Sequence, residues 1–341
     1  MSGAPRTTLV VFNHNGRELL DEFLPSVLAQ DVPALVLLVD DGSSDGSLEH
    51  VRARWPDVPV LALEGGRGIA ATFNAGLRAC QTELIALLNN DVALDPGWLR
   101  TLEATLDAHP RAASATGKLL RARQPEVIDA AGDVLMWSSA VTGRGCGERD
   151  HGQYDASQEV FAACAAAALY RREAFEEVGP FDESLGSYLE DVDWGARARL
   201  AGYGCRYEPG ALGRHLRGAT TGRSRSRFVR LQRRNQLLVI LKFAPASALA
   251  RHAWKIAANQ LLVGAAAVRD GMVADQLWAW GQVARALPAT LRTRRRLQRA
   301  RRVDVRELDR AIRATMPPPP LGGLLFELAP VAAGRRQGLD V

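Results

Sequence analysis

The sequence predicts an α/β fold: a mostly parallel sheet flanked by helices, with a C-terminal helical extension. Two observations predict the sheet. Short apolar, β-branched runs end in polar turn signals, and most are followed by a stretch with helical spacing. A third observation predicts the extension: from about residue 226, long helical stretches with few turn residues replace that alternation.

Residues 8–12 read as the first strand, ended by Asn13-His14-Asn15-Gly16. Residues 19–30 then place Leu20, Phe23, Leu24, Val27 and Leu28 on one helical face. Residues 34–39 are a second apolar run, stopped by Asp40-Asp41-Gly42, and Ser44 or Asp45 caps the helix that follows through Leu48 and Val51. A third strand over 58–63 leads into the turn Gly65-Gly66-Arg67-Gly68 and a helix over 70–79. A fourth strand, 84–88, ends in Asn89-Asn90-Asp91, and 98–108 is helical. Continuous apolar strands of this kind belong to a parallel sheet covered on both faces. Past residue 112 the pattern becomes irregular, with strands over 113–119 and 160–170 and a Gly- and charge-rich loop over 142–155. Short helices are expected over 173–178 and 194–201, and long helical stretches over 228–243 and 253–283. Pro317-Pro318-Pro319-Pro320 marks an extended tail.

A chain of 341 residues, 47% hydrophobic, can bury one large core or one domain with an appendage. Its net charge of +5 is unevenly spread. No Asp or Glu occurs from Pro209 to Arg269, where Arg recurs, and residues 292–302 hold seven Arg. Such patches suit a phosphate-rich partner: a nucleotide, a nucleic acid or an anionic membrane surface. For 292–302 a solvated helix face is the plain alternative. The four cysteines are widely spaced without a CxxC pair, which excludes a zinc knuckle and a disulfide framework and leaves reduced thiols. Met1 leads almost directly into a strand, so no signal peptide fits, and no apolar stretch has transmembrane length. The expected place of work is cytoplasmic.

The chemistry-bearing residues sit at strand ends, where an open α/β sheet presents its ligand site. Asp91 follows the fourth strand and can bind a divalent metal that neutralises a diphosphate; a turn or cap is the structural alternative. Asp40-Asp41-Gly42-Ser43 can hydrogen-bond a base or ribose, or simply form a capped turn. Gly66-Arg67-Gly68-Ile69-Ala70-Ala71 matches G-x-G-x-x-A, but after the third strand; that position suits a close-approach loop beside a nucleotide better than a dinucleotide fingerprint. Glu190-Asp191-Val192-Asp193-Trp194 puts three carboxylates at a helix start, either as capping charges or as a general base aimed into the cleft. His215 is a candidate ligand or a structural histidine.

Taken together these motifs resemble the inverting family 2 glycosyltransferases, most closely their rhamnosyltransferase-like branch. The correspondence runs from about Thr8 to about Thr221. It rests on Asn13-His14-Asn15-Gly16, Val39-Asp40-Asp41-Gly42-Ser43-Ser44-Asp45-Gly46-Ser47 and Leu87-Leu88-Asn89-Asn90-Asp91. It continues through Ala168-Leu169-Tyr170-Arg171-Arg172, Val178-Gly179-Pro180-Phe181-Asp182-Glu183, Tyr188-Leu189-Glu190-Asp191-Val192-Asp193-Trp194 and His215.

The resemblance implies a GT-A domain over 1–225, with a nucleotide-binding half of about 1–112 and an acceptor half of about 113–225. A basic helical extension over 226–312 and a tail over 313–341 follow. It further implies donor contacts from Asn13, His14, Asp40, Asp41, Gly68, Asn74 and Asn90, and Mg2+ or Mn2+ held by Asp91 and His215. Asp191 is implied as catalytic base, supported by Glu190 and Asp193. His14 stands where Tyr is frequent in the family, and Gly66 where Asn is frequent. The implied reaction moves a sugar, rhamnose by branch, from a nucleotide-diphosphate donor to a glycan or polyprenyl-linked acceptor. The extension would then rest on anionic headgroups at the inner face of the plasma membrane.

A nucleotidyltransferase is the rival enzyme, but Asn13-His14-Asn15-Gly16-Arg17 is a poor triphosphate-binding loop. A nucleic-acid-binding protein is the rival outside enzymes. With 6% aromatic residues and no accompanying motif, no specific nucleic-acid partner is expected.

Overall fold

The computed structural model describes residues 4–217 and 225–315. The first half contains β1 (Thr7–Asn13), α1 (Arg17–Leu28), β2 (Leu35–Asp40), α2 (Ser47–Arg54), β3 (Val60–Ala62), α3 (Ile69–Ala79), β4 (Leu84–Asn89), β5 (Val92–Leu94) and α4 (Trp98–Ala108). The second half adds β6 (Ala112–Arg121), β7 (Gln124–Ala130), β8 (Asp133–Leu135), β9 (Val141–Gly143), β10 (Gln158–Val160) and β11 (Ala167–Arg171). It then continues through α5 (Arg172–Val178), a 3-10 turn at Glu183–Leu185, α6 (Glu190–Leu200) and β12 (Gly204–His215). The extension is α7 (Arg225–Phe243), α8 (Ala246–Arg269), α9 (Val273–Ala300) and α10 (Val305–Thr315).

Ten strands form one sheet in the order β10-β12-β6-β11-β4-β1-β2-β3, with β5 on β12 and β7 on β6. β1 is buried along its whole length and pairs in parallel with β2 and β4. The register sets Asn13 beside Asp40 and Phe12 beside Asn89, so three strands deliver their polar carboxyl ends to one edge. β11 lies antiparallel between β4 and β6, so the parallel order of the first half gives way to a mixed second half. The i, i+3, i+4, i+7 residues of α1, Leu20, Phe23, Leu24 and Val27, are all buried against the sheet. Each such side chain contributes roughly 1.5–3 kcal/mol.

Two expectations change. The single strand foreseen over 160–170 is two, because the chain leaves β10 beside β12 and re-enters as β11 between β4 and β6. Between them, Ala162 bonds Asp133, and the Ala165 amide is taken by Asp191 rather than by a ladder. The helix foreseen over 253–283 breaks at Gly271, whose φ of +69° closes α8 while the Met272 amide reaches back to the Ala267 carbonyl. The proline tail, Pro317 to Pro320, lies outside the described residues, as does Thr221.

The extension shares a core with the second half of the sheet domain. Leu238, Val239, Ile240 and Phe243 of α7 pack with Trp137, Phe161, Val192 and Ala196, and α10 adds Leu308 and Ile312. Lys242 is buried and reaches Asp193 at 2.6 Å and Asp182.

Candidate active site

The strand ends are tied by one polar chain. Asn90 Nδ2 donates to Asn13 Oδ1 at 2.7 Å, and Asn13 Nδ2 donates to Asp40 Oδ2 at 2.8 Å. Asp40 also accepts from the amide and hydroxyl of Ser43. Gly16 must be small here, because a Cβ would stand 2.1 Å from Asn90 Nδ2. Asp40 is fully buried and spent on this network. Asp41 instead lies half-buried at the edge, with one oxygen buried and unpartnered, and burial raises its pKa. His14 is exposed, with Nδ1 2.9 Å from the Asp41 carbonyl.

Asn74 is buried on α3, and its amide bonds both the N–H and the carbonyl of Phe181 as well as Glu183. It therefore pins the 181–183 turn. Gly68 has a φ of +86°, and a Cβ there would meet the Gly186 carbonyl at 2.8 Å. The G-x-G-x-x-A loop thus approaches the second half of the chain closely, and the Ala70 amide bonds that same Gly186 carbonyl.

Asp91 follows β4, and β12 runs antiparallel to β5 so that His215 pairs with Val92. His215 Nε2 lies 3.2 Å from Asp91 Oδ1, and its Nδ1 lies 2.7 Å from Asp129 Oδ2. Arg217 closes on the other Asp129 oxygen at 3.0 Å. Burial alone would lower the His215 pKa, but hydrogen bonds to Asp129 and Asp91 raise it to about 10. Burial would raise Asp129, yet His215 and Arg217 hold it below the usual carboxylate range. Asp129 on Nδ1 leaves Nε2, once its proton is displaced, and the Asp91 carboxylate as a nitrogen–oxygen donor pair. That set fits Mn2+ and is workable for Mg2+, with Asp129 as the orienting carboxylate behind the imidazole. Arg214 is turned away to Asp95 at 2.7 Å.

Asp191 stands at the start of α6, just after Tyr188 and Leu189, which have φ of +70° and +67°. Two consecutive non-glycine residues in the left-handed region must be over-determined by their surroundings. Here Asn235 of α7 donates to the carbonyls of Leu185, Ser187 and Tyr188. Asp191 Oδ2 accepts the Ala165 amide at 3.0 Å and Oδ1 the Val192 amide at 2.8 Å. Burial raises its pKa despite those two bonds. Asp133, Cys164 and Asp191 bring one polar atom each within 4.8 Å of one another. Burial, then the charges of Asp191, Asp129 and Glu190, push Asp133 well above the carboxylate range. Burial and Asp191 do the same to Glu190, one of whose oxygens is unpartnered. Asp193 is engaged by Arg197 at 2.9 Å and by Lys242, and anchors the helix.

The segments that carry Asp91 and Asp191 meet at residues 164–166. The Asn89 amide bonds the Ala166 carbonyl at 2.9 Å, one residue from the Ala165 amide that Asp191 holds. The structure therefore gathers Asp41, Asn90, Asp91, His215 and Asp191 along one edge. Asp129, Asp133 and Asn235 join them without having been singled out in the sequence. The one available signal was a lone acid in an apolar strand, as at Asp129 within Val127-Ile128-Asp129-Ala130-Ala131.

Parallel strands that present carboxylates at one edge, facing an acidic helix start from the second half, define a glycosyltransferase of GT-A fold. Residues 8–179 match the family described as Glycosyl transferase family 2, and the chain belongs to that family. It is 30% identical over 236 residues to the N-acetylglucosaminyl-diphospho-decaprenol L-rhamnosyltransferase of Mycobacterium tuberculosis, covering 60% of this chain and 74% of that relative. It is 33% identical over 182 residues to the pre-mycofactocin glycosyltransferase of the same species, covering 53% of this chain and 37% of that one. Two solved structures share the fold. The mannosyltransferase PcManGT of Pyrobaculum calidifontis, in complex with GDP-Man and Mn2+, has a TM-score of 0.51 at 18% identity over 92% of this chain and 89% of that one. GalNAc-T7 with UDP, GalNAc and Mn2+ has a TM-score of 0.59 at 16% identity over 85% and 58%.

Proposed function

We propose that the protein transfers a sugar, with inversion, from a nucleotide-diphosphate donor to a hydroxyl of a polyprenyl-linked or glycan acceptor. The observation that carries this reading is that Asp133 links the Asp91–His215–Asp129 group to the half-buried Asp191 carboxylate, interacting with both Asp129 and Asp191. Asp91 and His215 would hold a divalent cation, Mn2+ or Mg2+; when bound, it supplies Lewis-acid charge to the departing diphosphate. Arg217 adds fixed positive charge behind Asp129. Asp41 and His14 face the base and ribose, while Asn13, Asp40, Asn74 and Asn90 hold the loops that carry them. Asp191 accepts the proton of the attacking hydroxyl, and its raised pKa makes it a better base than an exposed aspartate. Rhamnose is the sugar favoured by the first relative named above, whose acceptor carries a decaprenyl diphosphate. Membership of the family removes the ground for a nucleotidyltransferase reading.

Exposed apolar faces on the extension support a lipid-linked acceptor at an anionic membrane surface. On α8, Trp254, Leu261 and Val268 recur seven residues apart and are 54%, 75% and 70% exposed. No charged residue occurs from Ile256 to Val268. On α9, Val273, Leu277, Trp280, Leu287 and Leu291 form a second exposed stripe, which runs into Arg292, Arg295, Arg296 and Arg299. Apolar faces bordered by Arg suit an interfacial location. No helix among the described residues is long and apolar enough to cross a membrane.

Thermal-shift screening of nucleoside diphosphates and nucleotide sugars, with and without Mn2+, tests the donor reading. A shift that needs both nucleotide and metal is expected; none with any nucleotide would end it. Flotation with anionic and neutral liposomes tests the surface reading, which equal partition into both would remove.

A further inference from the structure

Beside the strap that leads to Asp191 lies a cavity of about 540 Å³. Its walls come from three places: the Gly66–Gly68 loop, the Ser184–Ser187 turn, and the facing sides of α7 and α9. The lining holds four arginines, Arg67, Arg227, Arg230 and Arg234, with three serines and no Asp or Glu. Arg234 is set by the carbonyls of Ser184 and Leu185, and burial lowers its pKa. A guanidinium held inward by carbonyls, with no carboxylate among the described residues within salt-bridge distance, is prepared for an external oxyanion. Leu231 and Trp278 form an apolar wall, and the Arg230 guanidinium lies 5.7 Å from the Trp278 ring centre.

The place of the cavity identifies which oxyanion. Ser187 lines it, and Asp191 is four residues further on. Four residues span at most about 14 Å when extended, and Tyr188 and Leu189 are turned rather than extended. The cavity wall at Ser187 is therefore within about 14 Å of the Asp191 backbone. The metal-holding group sits elsewhere, at the ends of β4 and β12. Trp278 also neighbours Leu277, which is 57% exposed on the apolar stripe of α9.

We propose that this cavity binds the phosphate or diphosphate that joins the acceptor's first sugar to its polyprenyl chain. The inference rests on the lipid-linked acceptor reading and adds a second phosphate site, separate from that of the donor. Arg227 supplies charge from α7 and Arg67, 3.6 Å from Glu183, from the facing loop; Arg230 is paired with Asp275 at 2.6 Å, Arg234 shapes the floor, and Trp278 receives the first isoprene units.

Farnesyl diphosphate is the probe, titrated into the full-length protein with and without the nucleoside diphosphate that gives the largest thermal shift. The expected result is binding in both conditions. Arg67→Gln combined with Arg227→Gln should weaken it at least tenfold. Farnesol, which lacks phosphate, should bind far more weakly than the diphosphate. Competition between farnesyl diphosphate and the nucleotide would assign the cavity to the donor and overturn the proposal. Equal affinity of wild type and double variant would overturn it as well. If the double variant fails to fold, Arg67→Gln alone, at a side chain 64% exposed, provides the same comparison at reduced size. The farnesyl arm without nucleotide reads even if no nucleotide binds, so the two readings fail separately.

Discussion

Asp129 holds Nδ1 of His215 at 2.7 Å, which turns Nε2 toward Asp91. The strand carrying Asp129, β7, hairpins off β6, next to the strand that carries His215. The pairing therefore comes from sheet topology, not from chain proximity. It also sets Nε2 as the nitrogen that faces the Asp91 carboxylate; with its pKa raised to about 10 the ring carries a proton there, which a metal would have to displace.

Replacing that carboxylate should weaken the proposed metal site of Asp91 and His215 without abolishing it. Asp129→Asn keeps the shape but weakens the orienting bond, and a cost of about 10–100-fold in metal affinity or activity is expected. Mn2+ titration of turnover measures it, and partial recovery at high Mn2+ is expected. Unchanged Mn2+ dependence would place Asp129 outside the metal site.

Asp191→Asn should retain nucleotide binding and lose transfer by about 10²–10⁴-fold, the usual share of a general base. Turnover at saturating donor, beside the nucleotide thermal shift, separates the two effects. Substantial residual turnover in a well-folded variant would deny Asp191 that role.

The pH profile follows from the same burial. Asp191 must be ionised to act, and its pKa is raised above 3.8. The rate should therefore fall as pH drops through a value above the ordinary aspartate range. The Asp191 charge in turn holds Asp133 neutral, so Asp133→Asn, which keeps a neutral side chain of the same shape, should leave that acid limb in place. A limb that moves to lower pH would show Asp133 to be ionised beside Asp191.

Glu190 predicts a stability effect of definite sign. Its folded pKa is raised well above 4.5, so above that pH the unfolded chain loses its proton first. Stability contributed by the neutral form is present at low pH and is lost as pH rises toward the folded pKa. Glu190→Gln should flatten this slope. Urea melts near pH 5 and pH 8 compare the variants; equal slopes would contradict the burial argument.

Asn235 ties the extension to the catalytic strap. Asn235→Ala leaves three carbonyls, those of Leu185, Ser187 and Tyr188, without this donor. A loss of about 1–3 kcal/mol is expected for an unsatisfied buried group. Because Tyr188 and Leu189 lose their restraint, kcat should drop while nucleotide affinity holds. Chemical denaturation and steady-state kinetics on one preparation check both halves.

Several residues were readable because their chemistry is local. Asn13, Asp40, Asp41, Asn90 and Asp91 follow apolar runs directly, and a strand end determines where the next polar side chain goes. The 190–193 acids could be read as a helix start, but not which of them is free. Asp193 is bound by Arg197 and Lys242, whereas Asp191 takes two backbone amides. Asn74 looked like a nucleotide contact from its motif position, yet its amide is taken up by Phe181 and Glu183. Lys242 and Phe181 come from distant parts of the chain, so no local pattern announces them.

By itself the sequence determined the alternation of strands and helices, the polar strand ends, the basic extension and the family. Hydrophobic periodicity and turn chemistry act between near neighbours, and a linear string records them. Only the tertiary structure decided that β11 enters antiparallel between β4 and β6, that Asp129 stands behind His215, and that α7 clamps the strap before Asp191. Those outcomes depend on which distant surfaces bury each other and which buried polar groups find partners, and both conditions are met only when the whole chain has packed.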